Sequence, residues 1–197
     1  DGPRQEPATG DRPEQLVILV HGYGADGNDL IGLAPYFARV LPNAAFVAPN
    51  GPEQCGMSAF GYQWFPINQF DPASRLAGVQ SAAPVLDQFI DKELERHGLE
   101  EDKLLLIGFS QGTMMSLHVA LRRPRQVAGI LGYSGILAGL ELLPDEAISK
   151  PPIQLIHGDM DEMLPVANLH EAVSALGAAG FDVAGHVSPG AGHTIAQ

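Results

Sequence analysis

The run Gly108-Phe109-Ser110-Gln111-Gly112 constrains this chain more than any other feature, because of what flanks it. Lys103-Leu104-Leu105-Leu106-Ile107 before it reads as a buried strand, and Thr113 to Arg122 after it reads as a helix. A serine at such a junction must sit in a sharp, strained turn. Side chains two residues to either side would collide with the neighbouring strand and helix, so glycine stands at both places. The turn lifts the Ser110 hydroxyl out at the carboxyl end of a sheet. The pentapeptide alone occurs by chance; its strand–turn–helix setting gives it weight.

Three further segments fall in equivalent places. His21-Gly22-Tyr23-Gly24 follows the apolar run Leu16–Val20, and His157-Gly158-Asp159-Met160-Asp161 follows Ile153-Gln154-Leu155-Ile156. Gly190-Ala191-Gly192-His193 comes just after a predicted strand from Asp182 to Val187. The chain order is therefore Ser, Asp, His, with a glycine-rich turn upstream. A serine hydroxyl is a weak nucleophile until a base takes its proton, and histidine, with an unperturbed pKa of about 6.5, suits that task. A carboxylate fixes the imidazole tautomer and stabilises the imidazolium. An H-G-x-G turn is the usual source of one N–H donor to an oxyanion, the other coming from the residue after the serine, here Gln111. Spacing alone leaves Asp159 and Asp161 open as the acid.

Elsewhere strands and helices alternate. Strands are predicted at 15–20, 45–48, 103–107, 127–133, 153–156 and 182–187, and helices near 30–41, 73–94, 113–122, 140–149 and 165–178. Leu76, Val79, Ala83, Leu86, Ile90 and Leu94 recur at helical spacing, with Pro84 expected to kink or split their helix. Continuous apolar strands alternating with helices predict an α/β fold with a mainly parallel sheet covered on both faces. With 197 residues and 45% hydrophobic content, a single domain spanning 1–197 is expected.

The chain resembles the small phospholipase/carboxylesterase family, which includes the acyl-protein thioesterases and has the α/β-hydrolase fold. The resemblance rests on His21-Gly22-Tyr23-Gly24-Ala25-Asp26, Ala48-Pro49-Asn50, and the serine turn with Thr113 and Met114 behind it. It continues through Gly132-Tyr133-Ser134-Gly135, His157-Gly158-x-x-Asp161 with Leu164-Pro165, and Gly192-His193. It implies Ser110 as nucleophile, His193 as base and Asp161 as acid, with the N–H groups of Tyr23 and Gln111 forming the oxyanion hole. Asp159 is then left to shape its loop. Family members usually continue past the histidine into a closing helix, whereas this chain stops four residues later, at Gln197. Little strand-like sequence precedes Leu16, so both ends read as truncated.

Competing readings are weaker. His21 reads as a structural hydrogen-bonding residue beside the glycine turn, and His118, His170, His97 and His186 as structural or solvated. Ser134 lacks the second glycine of the serine motif, position 136 being Ile. Gly22 to Gly27 matches G-x-G-x-x-G, but no acidic residue stands at a suitable strand end for a nucleotide ribose. No metal-ligand spacing occurs, so neither metal nor cofactor is expected.

The net charge of −12, from 11 basic and 23 acidic side chains, argues against nucleic acid as a partner and against anionic lipid. No apolar run approaches a membrane span, and the polar first 15 residues show no secretory leader. The lone Cys55 fits a reducing, cytoplasmic setting. A homodimer remains compatible with all of this.

The loop Asn50–Pro72 is long for a connection and carries Met57, Phe60, Tyr62, Trp64 and Phe65. Trp64 and Phe65, with Met163, Leu164 and Tyr23, are candidates to line an acyl groove; for Trp64 burial in a local core is an equal alternative. No insertion is large enough for a cap domain, so an open site is expected. The reading is a serine hydrolase acting through an acyl-enzyme on small-molecule esters or thioesters, a carboxylesterase on short-to-medium acyl chains. Lysophospholipase or acyl-protein thioesterase activity is the runner-up. A non-catalytic ligand-binding member of the fold is the alternative from another class, though it has no use for Asp161 and His193.

Overall fold

Apolar runs become the middle of a sheet here because both of their faces are covered. The computed structural model describes residues 1–56 and 60–195; Met57, named above, lies outside them. Strands β1 (Arg4–Gln5), β2 (Gln15–Val20) and β3 (Ala44–Val47) precede a hairpin of β4 (Glu53–Gln54) and β5 (Tyr62–Gln63). Strands β6 (Leu104–Phe109), β7 (Gly129–Tyr133), β8 (Ile153–Gly158) and β9 (Val183–Ser188) follow. The helices are α1 (Gly27–Ile31), α2 (Ala34–Phe37), α3 (Pro72–His97), α4 (Gln111–Ala120), α5 (Leu143–Glu146) and α6 (Ala167–Ala178).

Seven strands form one sheet in the order β1-β3-β2-β6-β7-β8-β9. All pairings are parallel except that of β1 with β3. Within β2 the side chains alternate between faces. Leu16, Ile18 and Val20 join a core with Leu86 and Ile90 of α3 and Met115 of α4. Val17 and Leu19 pack on the other side with Phe46, Leu30 and Ala34. This is the predicted α/β-hydrolase arrangement, with no large cap among the described residues.

Several local expectations change. The helix expected near 30–41 is two short helices, because Pro35 lacks an N–H and its ring opposes the carbonyl four residues earlier. Pro84 does not split α3, which runs unbroken over 26 residues. Pro84 and Gln80 are both exposed, so the carbonyl that loses its donor faces water. Helix α3 is bounded by Asp71, whose side chain accepts the Ser74 N–H at 2.9 Å, and by Gly98 at φ 64°. The piece predicted at 140–149 is a turn of 3₁₀ helix, Leu140–Leu142, followed by α5. Strand β1, too short to show a period, is held by the Arg4 guanidinium against buried Glu93 of α3 at 2.5 Å.

Candidate active site

Strand β6 delivers Ser110 into a turn with φ 53° and ψ −114°, a conformation L-residues rarely adopt. The flanking glycines have the expected cause. A Cβ at Gly112 would stand 1.8 Å from the Val20 carbonyl oxygen of β2, and one at Gly108 would stand 2.6 Å from the Thr113 backbone. The Ser110 N–H donates to the Tyr133 carbonyl at 2.9 Å, pinning the turn to the end of β7.

Loops after β8 and β9 bring two more side chains to the same place. His193 Nε2 lies 3.0 Å from Ser110 Oγ, and its Nδ1 lies 2.7 Å from Asp161 Oδ2. An ionised carboxylate only accepts, so Nδ1 carries the proton and Nε2 presents a lone pair to the serine. The other oxygen, Asp161 Oδ1, accepts the N–H groups of Met163 and Leu164 at 2.9 and 2.8 Å. Burial pushes the Asp161 pKa up, but the bonds from Leu164, His193 and Met163 outweigh it and hold the carboxyl below the usual range. Asp159 is directed elsewhere, its Oδ1 accepting the Gly190 N–H at 2.6 Å and fixing the turn that leads to His193.

The turn after β2 is set by an interlocking group of hydrogen bonds. His21 is fully buried; its Nδ1–H donates to the Gly22 carbonyl at 2.7 Å and its Nε2 accepts the Gly51 N–H at 2.8 Å. Burial lowers its pKa, against the opposing effects of the Gly22 bond, Asp26 and Asp29. The hairpin is stitched to the same turn: Gly24 N–H donates to Tyr62 O and Tyr62 N–H to Ala25 O, both at 2.8 Å. Among the described residues the N–H groups of Tyr23 and Gln111 donate to no protein acceptor. That of Gln111 also stands at the N-terminus of α4, where partial positive charge favours an anion.

A groove of about 200 Å³ opens beside Ser110. Phe65, Met163 and Leu164 line it, Met163 being 73% exposed at its rim. Trp64 is the correction. It is 2% exposed, its indole N–H donates to the His21 carbonyl at 3.0 Å, and its ring packs on His21 with centroids 5.7 Å apart. A buried indole needs an acceptor for its N–H. The His21 carbonyl supplies one behind the groove wall, and Trp64 does not line the groove.

Other groups were not foreseen. The Gln111 carboxamide, beyond its backbone N–H, accepts the Trp64 N–H and donates to the Phe65 carbonyl, both at 2.8 Å. The Phe109 ring packs on His193 with centroids 5.0 Å apart. His157 Nε2–H donates to the Leu164 carbonyl at 2.7 Å and lies 3.3 Å from Asp161 Oδ2, backing the loop that carries Asp161. Its sequence signals were its place at the end of β8 and in the His157-Gly158-x-x-Asp161 motif, neither of which showed this contact. Ile67, Phe70 and Arg75 also line the groove. Ser134 is 1% exposed and does not line this groove. Among the described residues no His/Cys/Asp/Glu cluster offers a metal site, and no helix is long and apolar enough to cross a membrane.

Comparisons with known proteins identify the family to which this fold belongs. A family model described as Phospholipase/Carboxylesterase matches residues 7–197. The chain is 31% identical over 186 residues to the esterase YpfH of Escherichia coli (strain K12), covering 94% of this chain and 78% of that protein. It is 29% identical over 165 residues to acyl-protein thioesterase 1 of Saccharomyces cerevisiae, covering 77% of this chain and 72% of that one. The crystal structure of esterase PE8 superposes with a TM-score of 0.96 at 43% identity, covering 100% of this chain and 92% of that one. That of Arabidopsis thaliana SOBER1 gives a TM-score of 0.74 at 26% identity, covering 92% and 91%. With a serine turn, a glycine-rich turn and a groove at the strand ends of this fold, the chain belongs to the phospholipase/carboxylesterase family and is a carboxylesterase-type hydrolase.

Proposed function

We propose that the protein hydrolyses carboxylic esters through an acyl-enzyme on Ser110. The continuous line from Ser110 Oγ through His193 to Asp161, at 3.0 and 2.7 Å beside an apolar groove, carries this reading. Ser110 Oγ attacks the ester carbonyl as His193 Nε2 takes its proton, and Asp161 stabilises the imidazolium. The N–H groups of Tyr23 and Gln111 hold the tetrahedral oxyanion, a role worth roughly 3–4 kcal/mol per donor. Collapse expels the alcohol, protonated by His193. Water, activated by the same histidine, then attacks the acyl-enzyme and releases the acid and Ser110.

The groove favours short-to-medium acyl chains. A second reading, hydrolysis of long-chain lysophospholipid or protein thioesters, is supported by the exposed apolar rim of Ile67, Phe70 and Met163 and by similarity to a thioesterase. The test is a fluorophosphonate probe. It is expected to label Ser110 with one equivalent, and Ser110→Ala is expected to lose both labelling and ester turnover. Folded wild-type protein that takes no label would favour a ligand-binding role instead.

A further inference from the structure

Arg75 is the one permanently charged side chain lining the groove among the described residues. It stands half-buried in the first turn of α3, where its Nη2 donates to the Phe70 carbonyl at 3.1 Å. Arg4, Arg96, Arg122, Arg123 and Arg125 each meet a carboxylate. With 23 acidic side chains on the chain, partners are plentiful. Arg75 forms no ion pair with a described carboxylate; Asp71 and Glu171 act on it only at longer range. The Asp71 carboxylate is committed to capping α3. Burial disfavours the Arg75 charge, yet no described carboxylate neutralises it at contact distance. Ser74 and Gln69 line the same stretch of wall, with Ser74 Oγ donating to Gln69 Oε1 at 3.3 Å, so the amide N–H groups are left as further donors.

We infer that Arg75 is an anion anchor that determines specificity, so that the groove takes esters carrying a carboxylate or phosphate beyond an apolar segment. The inference rests on the ester-hydrolase reading above. A neutral ester covers the apolar wall but leaves a desolvated guanidinium without an acceptor. An anion supplies charge-assisted, bidentate bonds to the planar fork, while its apolar segment covers Phe65 and Ile67. The net charge of −12 repels an approaching anion, but this field is screened over about 8 Å at physiological ionic strength. A contact at hydrogen-bond distance against an apolar wall is screened far less, so the local attraction decides.

The experiment compares kcat/KM within two substrate pairs. One sets p-nitrophenyl hemiadipate against its neutral methyl ester, with the charge on the acyl side as a carboxylate. The other sets the hexanoyl ester of hydroxyethyl phosphate against its dimethyl phosphate, with the charge on the alcohol side. The wild type is expected to prefer the anionic member of at least one pair by roughly tenfold or more, carried by KM, as one charge-assisted hydrogen bond would give. Arg75→Gln is expected to bring that ratio to about one, and Arg75→Lys to keep part of it. Because the ratio is internal to each enzyme, loss of folded protein cancels from it. The pair that responds identifies carboxylate or phosphate as the anchored group. A wild-type ratio at or below one in both pairs, or a preference undiminished in Arg75→Gln, overturns the anchor. Ser110→Ala separates the two readings: if it still turns over the neutral esters, the serine mechanism itself falls.

Discussion

Gln111 holds Trp64 by its backbone: the carboxamide oxygen accepts the Trp64 N–H at 2.8 Å, and the amide nitrogen donates to the next carbonyl, that of Phe65. The residue after Ser110 thus fixes both ends of the Trp64-Phe65 dipeptide, whose second residue forms part of the groove wall. Gln111 is 1% exposed, so no water replaces these bonds. Gln111→Met should leave two buried backbone groups without partners, costing about 2–4 kcal/mol of stability at roughly 1–2 per group. It should raise KM more than it lowers kcat. Unchanged urea midpoint and KM would show that the clamp is idle.

The two aspartates should separate cleanly. In Asp161→Asn the amide oxygen is expected to stay on the Met163 and Leu164 N–H groups, turning its NH₂ toward His193 Nδ1. That forces the proton onto Nε2, facing Ser110, the wrong tautomer for a base. A fall in kcat on the order of 10⁴ is expected. Asp159→Asn keeps an acceptor for Gly190 and should change kcat less than tenfold. Steady-state kinetics check both, and reversed magnitudes would reassign the acid.

Stability should fall with acid through His118 on α4. Burial, and then the neighbouring Arg122 cation, push its pKa down to about 4, with Glu146 opposing. The unfolded chain takes up a proton near pH 6.5, whereas the folded state resists until about 4. Between those values the unfolded state binds more protons, so stability is full above pH 6.5 and declines as pH drops toward 4. At about 1.4 kcal/mol per unit, the loss is at most about 3 kcal/mol. Urea denaturation at a series of pH values should show a shallower decline in His118→Gln. An identical slope would place the effect elsewhere, with His21, whose pKa is also lowered by burial, the next group to replace.

Acyl-chain dependence should track the groove. Each buried methylene contributes about 0.8 kcal/mol, so kcat/KM should climb up to roughly fourfold per carbon and then level off. Ile67→Ser should flatten the climb without unfolding the protein. Trp64→Ala should instead cost about 3–5 kcal/mol of stability as a core truncation. A rise continuing to long chains would favour the lysophospholipase or thioesterase reading. A stable Trp64→Ala with a flattened profile would return Trp64 to the groove.

Ser110, Asp161 and His193 were legible because each ends a recognisable strand and because the serine turn admits only glycine at 108 and 112. The core strands were legible for the same reason that they are buried: polar residues are excluded from both faces. Trp64 was not, since an aromatic-rich loop does not show which ring turns inward. The carbonyl of His21, 43 positions away, decides that. Arg75 reads in sequence as an ordinary helix-surface charge, and only the loop folded over α3 makes it part of a groove. Pro84 broke the expected pattern because it falls on the wet side of α3, something a 3.6-residue period marks only once the helix's phase is known.

His193 hangs from β9, an edge strand that among the described residues pairs with β8 alone and exposes three of its six residues. Fraying of one edge therefore separates His193 from Ser110 while the interior of the sheet stays paired. Outer strands of this kind open locally at a lower free energy than the whole domain. Heat or urea should accordingly silence turnover before the sheet melts, and lengthening or stapling β9 should raise the working temperature of the enzyme while leaving its global unfolding midpoint nearly unchanged.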